Sequence, residues 1–188
     1  MFPSAGGHPR NASVARMRYM LNIFAGPTLS DLCPSLAAMY HPWRHLRSLG
    51  QGVTYSKEPT PGDKPAWWSP RSDHILMRPD LCQVERRCHL AHELAHRDLR
   101  HSGECGANRS LAVRKQEYAA DTLAAGRLIE LEHFIDALCW SDDAEVIADR
   151  LWVTRRMLDV RVETMLAIER RHVQDELIRR APDGGWGA

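Results

Sequence analysis

The sequence predicts an α+β fold, mostly helical, in which a small antiparallel sheet packs on two long helices and a helical region follows. Three observations lead there. Short alternating runs, "GVTYS" at 52–56, "AWWS" at 66–69 and "HILMR" at 74–78, are separated by turn-rich stretches. Apolar positions Val84, Cys88, Ala91, Ala95 and Leu99 then recur at helical spacing, so one helix face meets a core. A second helical run covers 110–128, and 131–178 reads as three or four shorter helices.

Taken in order, residues 1–38 read as a disordered or loosely docked arm. "MFPSAGGHPRNAS" is small and polar, and the apolar stretch after it is broken by Pro27 and Pro34. The compact domain is expected to begin near Met39. In "HPWRHLRSLG", Trp43, Leu46 and Leu49 lie at helical spacing and Gly50 stops the turn. "KEPTPGDKP" at 57–65 is a loop and "PRSD" a turn between strands. Asp80 is expected to cap the first long helix, with Gln83 reaching back as a capping box. Gly103 and Gly106 are expected to end it. The organisation is then an arm (1–38), a main domain (39–130), a helical region (131–180) and a flexible tail (181–188).

A length of 188 residues fits one domain, or one with a small appendage. The net charge of +1 gives no bulk electrostatic reason to expect nucleic acid or an anionic membrane as partner. No apolar run approaches the roughly 20 residues that span a bilayer. Arg16 and Arg18 precede "YMLNIFAG", but that apolar part is short, is interrupted by Asn22 and lacks a small-x-small cleavage site. Five cysteines, an odd number without paired spacing, fit reduced thiols, so a cytoplasmic location is expected.

The chemistry concentrates in "CHLAHELAHRDLRH", which holds four of the ten histidines. Within it, "HELAH" places His92 and His96 four residues apart on one helical face, where two imidazoles can share one ion. Glu93 lies about 60° beyond His96 around a helix of about 3.6 residues per turn. It is beside the pair and can serve as a general base without being a ligand. This is the H-E-x-x-H arrangement of zinc peptidases; the bland alternative is a solvated helix with two histidines. A catalytic zinc needs a third protein ligand and an open position. The next helix, "KQEYAADTLAAGRLI", offers Glu117 for the first, and Asp121, one turn on, can hold the outer N–H of a ligating histidine. Ala119, Ala120, Ala124 and Ala125 would let the two helices approach closely.

"RRCHLAHELAH" followed by "QEYAADTLAAGRLI" resembles the ImmA/IrrE metallopeptidases, in an actinobacterial or phage branch, over most of the chain from about residue 41 to 169. The resemblance implies a metallopeptidase with one Zn2+ per chain. His92, His96 and Glu117 would be ligands, Glu93 the catalytic base and Asp121 the partner behind a ligand. It also implies a regulatory target, since several family members inactivate a helix-turn-helix repressor by cutting it. Many relatives carry a second acid where this chain has Ala119, which removes a charge but no expected ligand. The arm 1–38 has no recognised counterpart.

Other residues are weighed against plainer roles. Cys88, one turn before His92, offers an alternative donor set, but a small buried hydrophobe is the expectation. His89 is expected to be exposed. His101, at the helix C-terminus, is expected to be surroundings, with lining the cleft as the alternative. The oxyanion donor is not visible; Tyr55, His74, His101 and several arginines are candidates. "HILMR" is expected near the cleft, where, as a sheet edge, it could take a substrate strand. Trp67, Trp68, Trp140 and Trp152 are expected in the core. Residues 142–165 have a helix-turn-helix cadence, with Ala144, Ile147 and Leu151 on one face and Met157, Leu158 and Val162 on the next. Over 141–180 there are 8 Arg against 9 Asp+Glu, so the electrostatic footprint of DNA binding is missing and a packing role is preferred.

The leading expectation is a zinc endopeptidase that cuts a regulatory protein. The alternatives are a non-catalytic helix-turn-helix-like regulator with a structural or vestigial metal site, and an immunity protein that binds through its arm and C-terminal helices. Glu93 discriminates, because a purely structural site has no use for a base there.

Overall fold

The computed structural model describes residues 40–58, 60–102 and 110–181. The expected arm, the domain start at Met39, the helix stops Gly103 and Gly106, and most of the expected tail lie outside these residues. The fold is α+β and mostly helical, in two compact units: residues 40–130 with 152–164, and residues 131–151 with 165–181.

In the first unit, α1 (Pro42–Ser48) begins with Pro42, whose fixed φ suits a first helical position. It ends at Gly50, which has φ +68°. Leu46 turns inward with Trp43 and Leu49 partly buried around it. Three strands follow: β1 (Val53–Tyr55), β2 (Ala66–Ser69) and β3 (His74–Met77). Their order is β1-β3-β2. The sheet is mixed. The β2/β3 hairpin is antiparallel, whereas β1 joins parallel to β3, with Val53 beside Ile75. The reason is the loop between β1 and β2, long enough to pass the position β3 later fills and return in the opposite direction. Ala66, Trp68, Ile75 and Met77 alternate toward the core and meet Leu46, Leu90 and Leu94.

The hairpin turn is fixed by Asp73, which has φ +47°, a conformation aspartate tolerates better than most residues. Its carboxylate accepts from Trp68 Nε1 at 3.0 Å, from Arg97 Nε and Nη2 at 2.8 and 3.0 Å, and from Gln51. These partners, the Arg97 bond first, lower its pKa from 3.8 to about 2. A depressed carboxyl contributes stability that is present above pH 4 and lost as pH falls through about 2. Asp73→Asn is therefore expected to destabilise the chain at pH 7 by about 1–2 kcal/mol, a charged hydrogen-bond hub discounted for its partial exposure. The gap from wild type should close between pH 4 and 2 in urea titrations. An equal gap at both ends would refute the assignment.

Helix α2 (Gln83–Asp98) starts two residues later than Asp80 would place it. Glu85 Oε2 accepts from Cys82 N at 2.8 Å, while Asp80 is held by Arg78 instead, at 3.1 and 2.5 Å. Helix α3 (Leu111–Leu128) is capped by Ser110, whose hydroxyl accepts from Val113 N. Ala91 and Ala95 of α2 and Ala120, Ala124 and Ala125 of α3 are fully buried, and these small side chains let the helices pack closely. The later helices are α4 (Leu131–Trp140), α5 (Ala144–Arg150), α6 (Arg155–Thr164) and α7 (Ala167–Arg180). Helix α6 belongs to the first unit and packs on α3 through its inward residues. Arg161 donates to the Ile129 carbonyl at 3.1 Å, and Thr154 N donates to Cys88 Sγ at 3.3 Å. Cys88 is thus a buried thiol, as expected, and burial raises its pKa.

The second unit contains α4, α5 and α7. Phe134, Ile135, Ile147 and Val173 are fully buried in it. Arg180 ties α7 to α4 through Asp136 at 2.5 Å and Glu132 at 2.9 Å, and His172 meets Glu132 at 3.0 Å. The two helices of the 142–165 segment fall in different units.

Trp67, expected in the core, is only half-buried, and two of the other tryptophans lie at the surface: Trp140 is 70% and Trp152 45% exposed. Each ring lies under a guanidinium instead, Arg150 at 5.0 Å and Arg87 at 5.4 Å. No helix among the described residues is long and apolar enough to cross a membrane.

Candidate metal centre

Helix periodicity sets the first half of the site. His92 and His96 sit one turn apart on α2 with Nε2 atoms 3.0 Å from each other and rings edge to face. Glu117 of α3 brings Oε2 to 3.3 Å from His92 Nε2 and 3.7 Å from His96 Nε2. These three residues form a group able to hold a metal ion. A tetrahedral ion with bonds of about 2.0–2.1 Å requires donor atoms about 3.3 Å apart. The observed separations of 3.0, 3.3 and 3.7 Å bracket that edge length. Two imidazoles and a carboxylate are also a donor set that suits zinc, so the residues fit such a group.

Electrostatics agree. Burial opposes charge on His92, but Asp121, then Glu117 and Glu93, outweigh it and raise its pKa to about 9. The two histidines, His92 first, hold the Glu117 carboxyl well below the usual carboxylate range. The pocket is thus arranged for a positive charge between its donors.

Asp121 Oδ1 lies 2.8 Å from His92 Nδ1, an ion-pair contact whose geometry falls short of a hydrogen bond. Its other oxygen takes Arg156 Nη2 of α6 at 2.6 Å. Burial raises the Asp121 pKa, yet His92 and then Arg156 bring it below its ordinary value. His101 places Nδ1 2.8 Å from His96 Nδ1.

Glu93 is 4% exposed and stands outside the donor trio. Its Oε2 accepts from Trp68 N of β2 at 2.7 Å. Burial pushes its pKa up, partly offset by His92 and His96. Because β2 is an edge strand among the described residues and its Trp68 N–H points away from β3, alternation leaves the main-chain groups of Ala66 and the Trp68 carbonyl on the same side.

The sequence match now decides the family. Residues 53–163, more than half the chain, match the model of the M78 peptidases, the IrrE N-terminal-like domain. The chain belongs to that family. Neither the curated proteins nor the solved structures give a significant match. The M78 match spans every residue that forms the site, from the β2 edge to Arg156 on α6.

Several details of this M78 site differ from sequence expectation. Strand β3 is central, paired on both sides, so "HILMR" offers no free edge to a peptide; among the described residues β2 does. One oxyanion candidate is engaged elsewhere, since His74 Nε2 meets Thr54 Oγ1 at 2.7 Å; the Tyr55 ring is exposed and lies under Arg86. His89 is half-buried rather than exposed, and burial, then His92, lowers its pKa. Lys64 carries no sequence signal in its loop, yet its Nζ is 2.6 Å from Glu117 Oε1. No periodic signal could have found it, because its partner is 53 residues away. Arg156 was hidden in the same way.

Proposed function

We propose that this chain is a zinc-dependent endopeptidase, with one Zn2+ per chain, that cuts a regulatory protein in the cytoplasm, a helix-turn-helix repressor of a phage or stress response being the target. Membership of a peptidase family and the spacing of three N/O donors support the reading. The observation that carries it is Glu93: a carboxylate buried beside the trio, outside it, and held against an edge strand. A structural metal site would gain nothing from a buried acid there whose burial its neighbours only partly offset.

His92, His96 and Glu117 would hold the ion, with Asp121 orienting His92. When bound, zinc supplies a Lewis acid that activates water and polarises a carbonyl. Glu93 takes the proton of the attacking water and delivers it to the departing amine, a role suited to a carboxyl whose pKa burial has raised. A substrate segment would lie extended along β2, its main chain facing Ala66 and Trp68. Lys64 beside Glu117 adds a positive charge near the site. DNA binding through 142–165 is disfavoured, since α6 uses its apolar face against α3 and the charge there is near neutral.

The test is co-expression of wild type or Glu93→Gln with the helix-turn-helix repressor encoded beside the gene. Repressor should disappear with wild type and persist with the variant. Equal levels would refute this target.

A further inference from the structure

We propose that His101 is a positioning residue for the metal centre: its ring accepts the outer N–H of His96 and so directs the inner nitrogen of His96 at the ion. The inference rests on the reading of His92, His96 and Glu117 as the metal-binding trio.

The local backbone delivers His101 to this place. Helix α2 closes with a Schellman turn, in which His101 N donates to the His96 carbonyl and Arg100 N to the Arg97 carbonyl, both at 3.0 Å. That turn requires positive φ at Arg100, which has φ +54° without being glycine. Folding the chain back over five residues sets residue 101 against residue 96, a neighbour that helical periodicity never supplies. The rings then meet edge to face with centroids 4.9 Å apart, and the Nδ1 atoms are 2.8 Å apart.

Two nitrogens at that distance share one proton. An inner Nε2 that is to offer its lone pair to an ion forces the His96 proton onto Nδ1, so His96 donates and His101 accepts. Both histidines of the trio therefore have an outer partner: Asp121 for His92 and His101 for His96. The partners differ in charge, an anion behind one ring and a neutral imidazole behind the other. Such outer partners fix ring orientation and tautomer, and losing one typically costs about 10–100-fold in metal affinity.

The test compares purified full-length wild type, His101→Ala, His101→Asn and Arg100→Gly by zinc competition against a chelating dye. An asparagine amide oxygen stands near the place of Nδ1 and can accept the same proton. The expected result is zinc affinity lower by about 10–100-fold in His101→Ala, largely restored in His101→Asn, and unchanged in Arg100→Gly, which keeps the turn. Nitrogen-15 imidazole spectra of zinc-loaded wild type and His101→Asn should show the His96 Nδ1 proton hydrogen-bonded, which keeps the test decisive if the alanine variant folds poorly. Unaltered zinc affinity in His101→Ala, with or without a loss of turnover, overturns the proposal; a loss of turnover alone would make His101 a cleft residue. Wild type that takes up no zinc would instead defeat the metal reading itself, so the two failures are distinguishable.

Discussion

Glu93→Gln is expected to lower peptide hydrolysis by about 10²–10⁴-fold, the usual contribution of a positioned general base, while zinc content stays at one ion per chain. The amide is nearly the same shape, and its oxygen can still accept from Trp68 N, so β2 and α2 keep their spacing. What disappears is the ability to take a proton. The same substitution should raise the melting temperature of the chelated protein. Burial disfavours the Glu93 carboxylate, and the nearby histidines only partly offset this. Each kcal/mol relieved corresponds to about 2–4 °C for a chain of this size. Retained hydrolysis would remove Glu93 from the reaction, and unchanged melting would mean that its burial is fully compensated. Loss of activity with a gain in stability is the pattern of a functional carboxyl held where folding alone would not place it.

Much of this arrangement follows from local spacing. His92, His96, Glu117 and Asp121 converge because each pair is four residues apart on its helix, and buried alanines bring the two helices together. Periodicity encodes both facts, so a single sequence shows them. The strands themselves were equally readable, since alternation and turn residues are local. Direction and order were not: that β1 lies parallel to β3, and that β2 is the edge beside Glu93, depends on where a loop carries the chain. The helix cap moved from Asp80 to Cys82 because Arg78 competes for the Asp80 carboxylate. Lys64 and Arg156 reach the site from segments with no periodic relation to it. His101 reads as mere surroundings in the sequence, because its contact with His96 arises from a left-handed Arg100 that composition does not announce. Trp140 and Trp152 show the converse error: large aromatic residues read as core can be covered by arginine at the surface.

Glu117→Ala is expected to strip the site of its ion. The carboxylate is the only donor that α3 contributes to the trio, and it supplies the negative charge that two neutral imidazoles lack. Without it the two Nε2 atoms face each other at 3.0 Å with a cation left unbalanced between them, and Lys64 loses the oxygen it holds. Loss of a direct donor should weaken binding by more than the roughly 10–100-fold that removal of an outer partner costs. Dialysed variant protein should therefore retain little zinc by elemental analysis, and hydrolysis should fall to background even though Glu93 is intact. Glu117→Gln should recover only part of the binding, because the amide keeps an oxygen in place but not its charge. If both variants hold one zinc per chain as firmly as wild type, Glu117 is no ligand. Its pull on His92 and His96 would then be an ordinary ion contact between two helices, and the third donor would have to come from elsewhere. Zinc loss in both variants, with Glu93→Gln keeping its metal and losing only turnover, would separate the residues that hold the ion from the one that moves the proton.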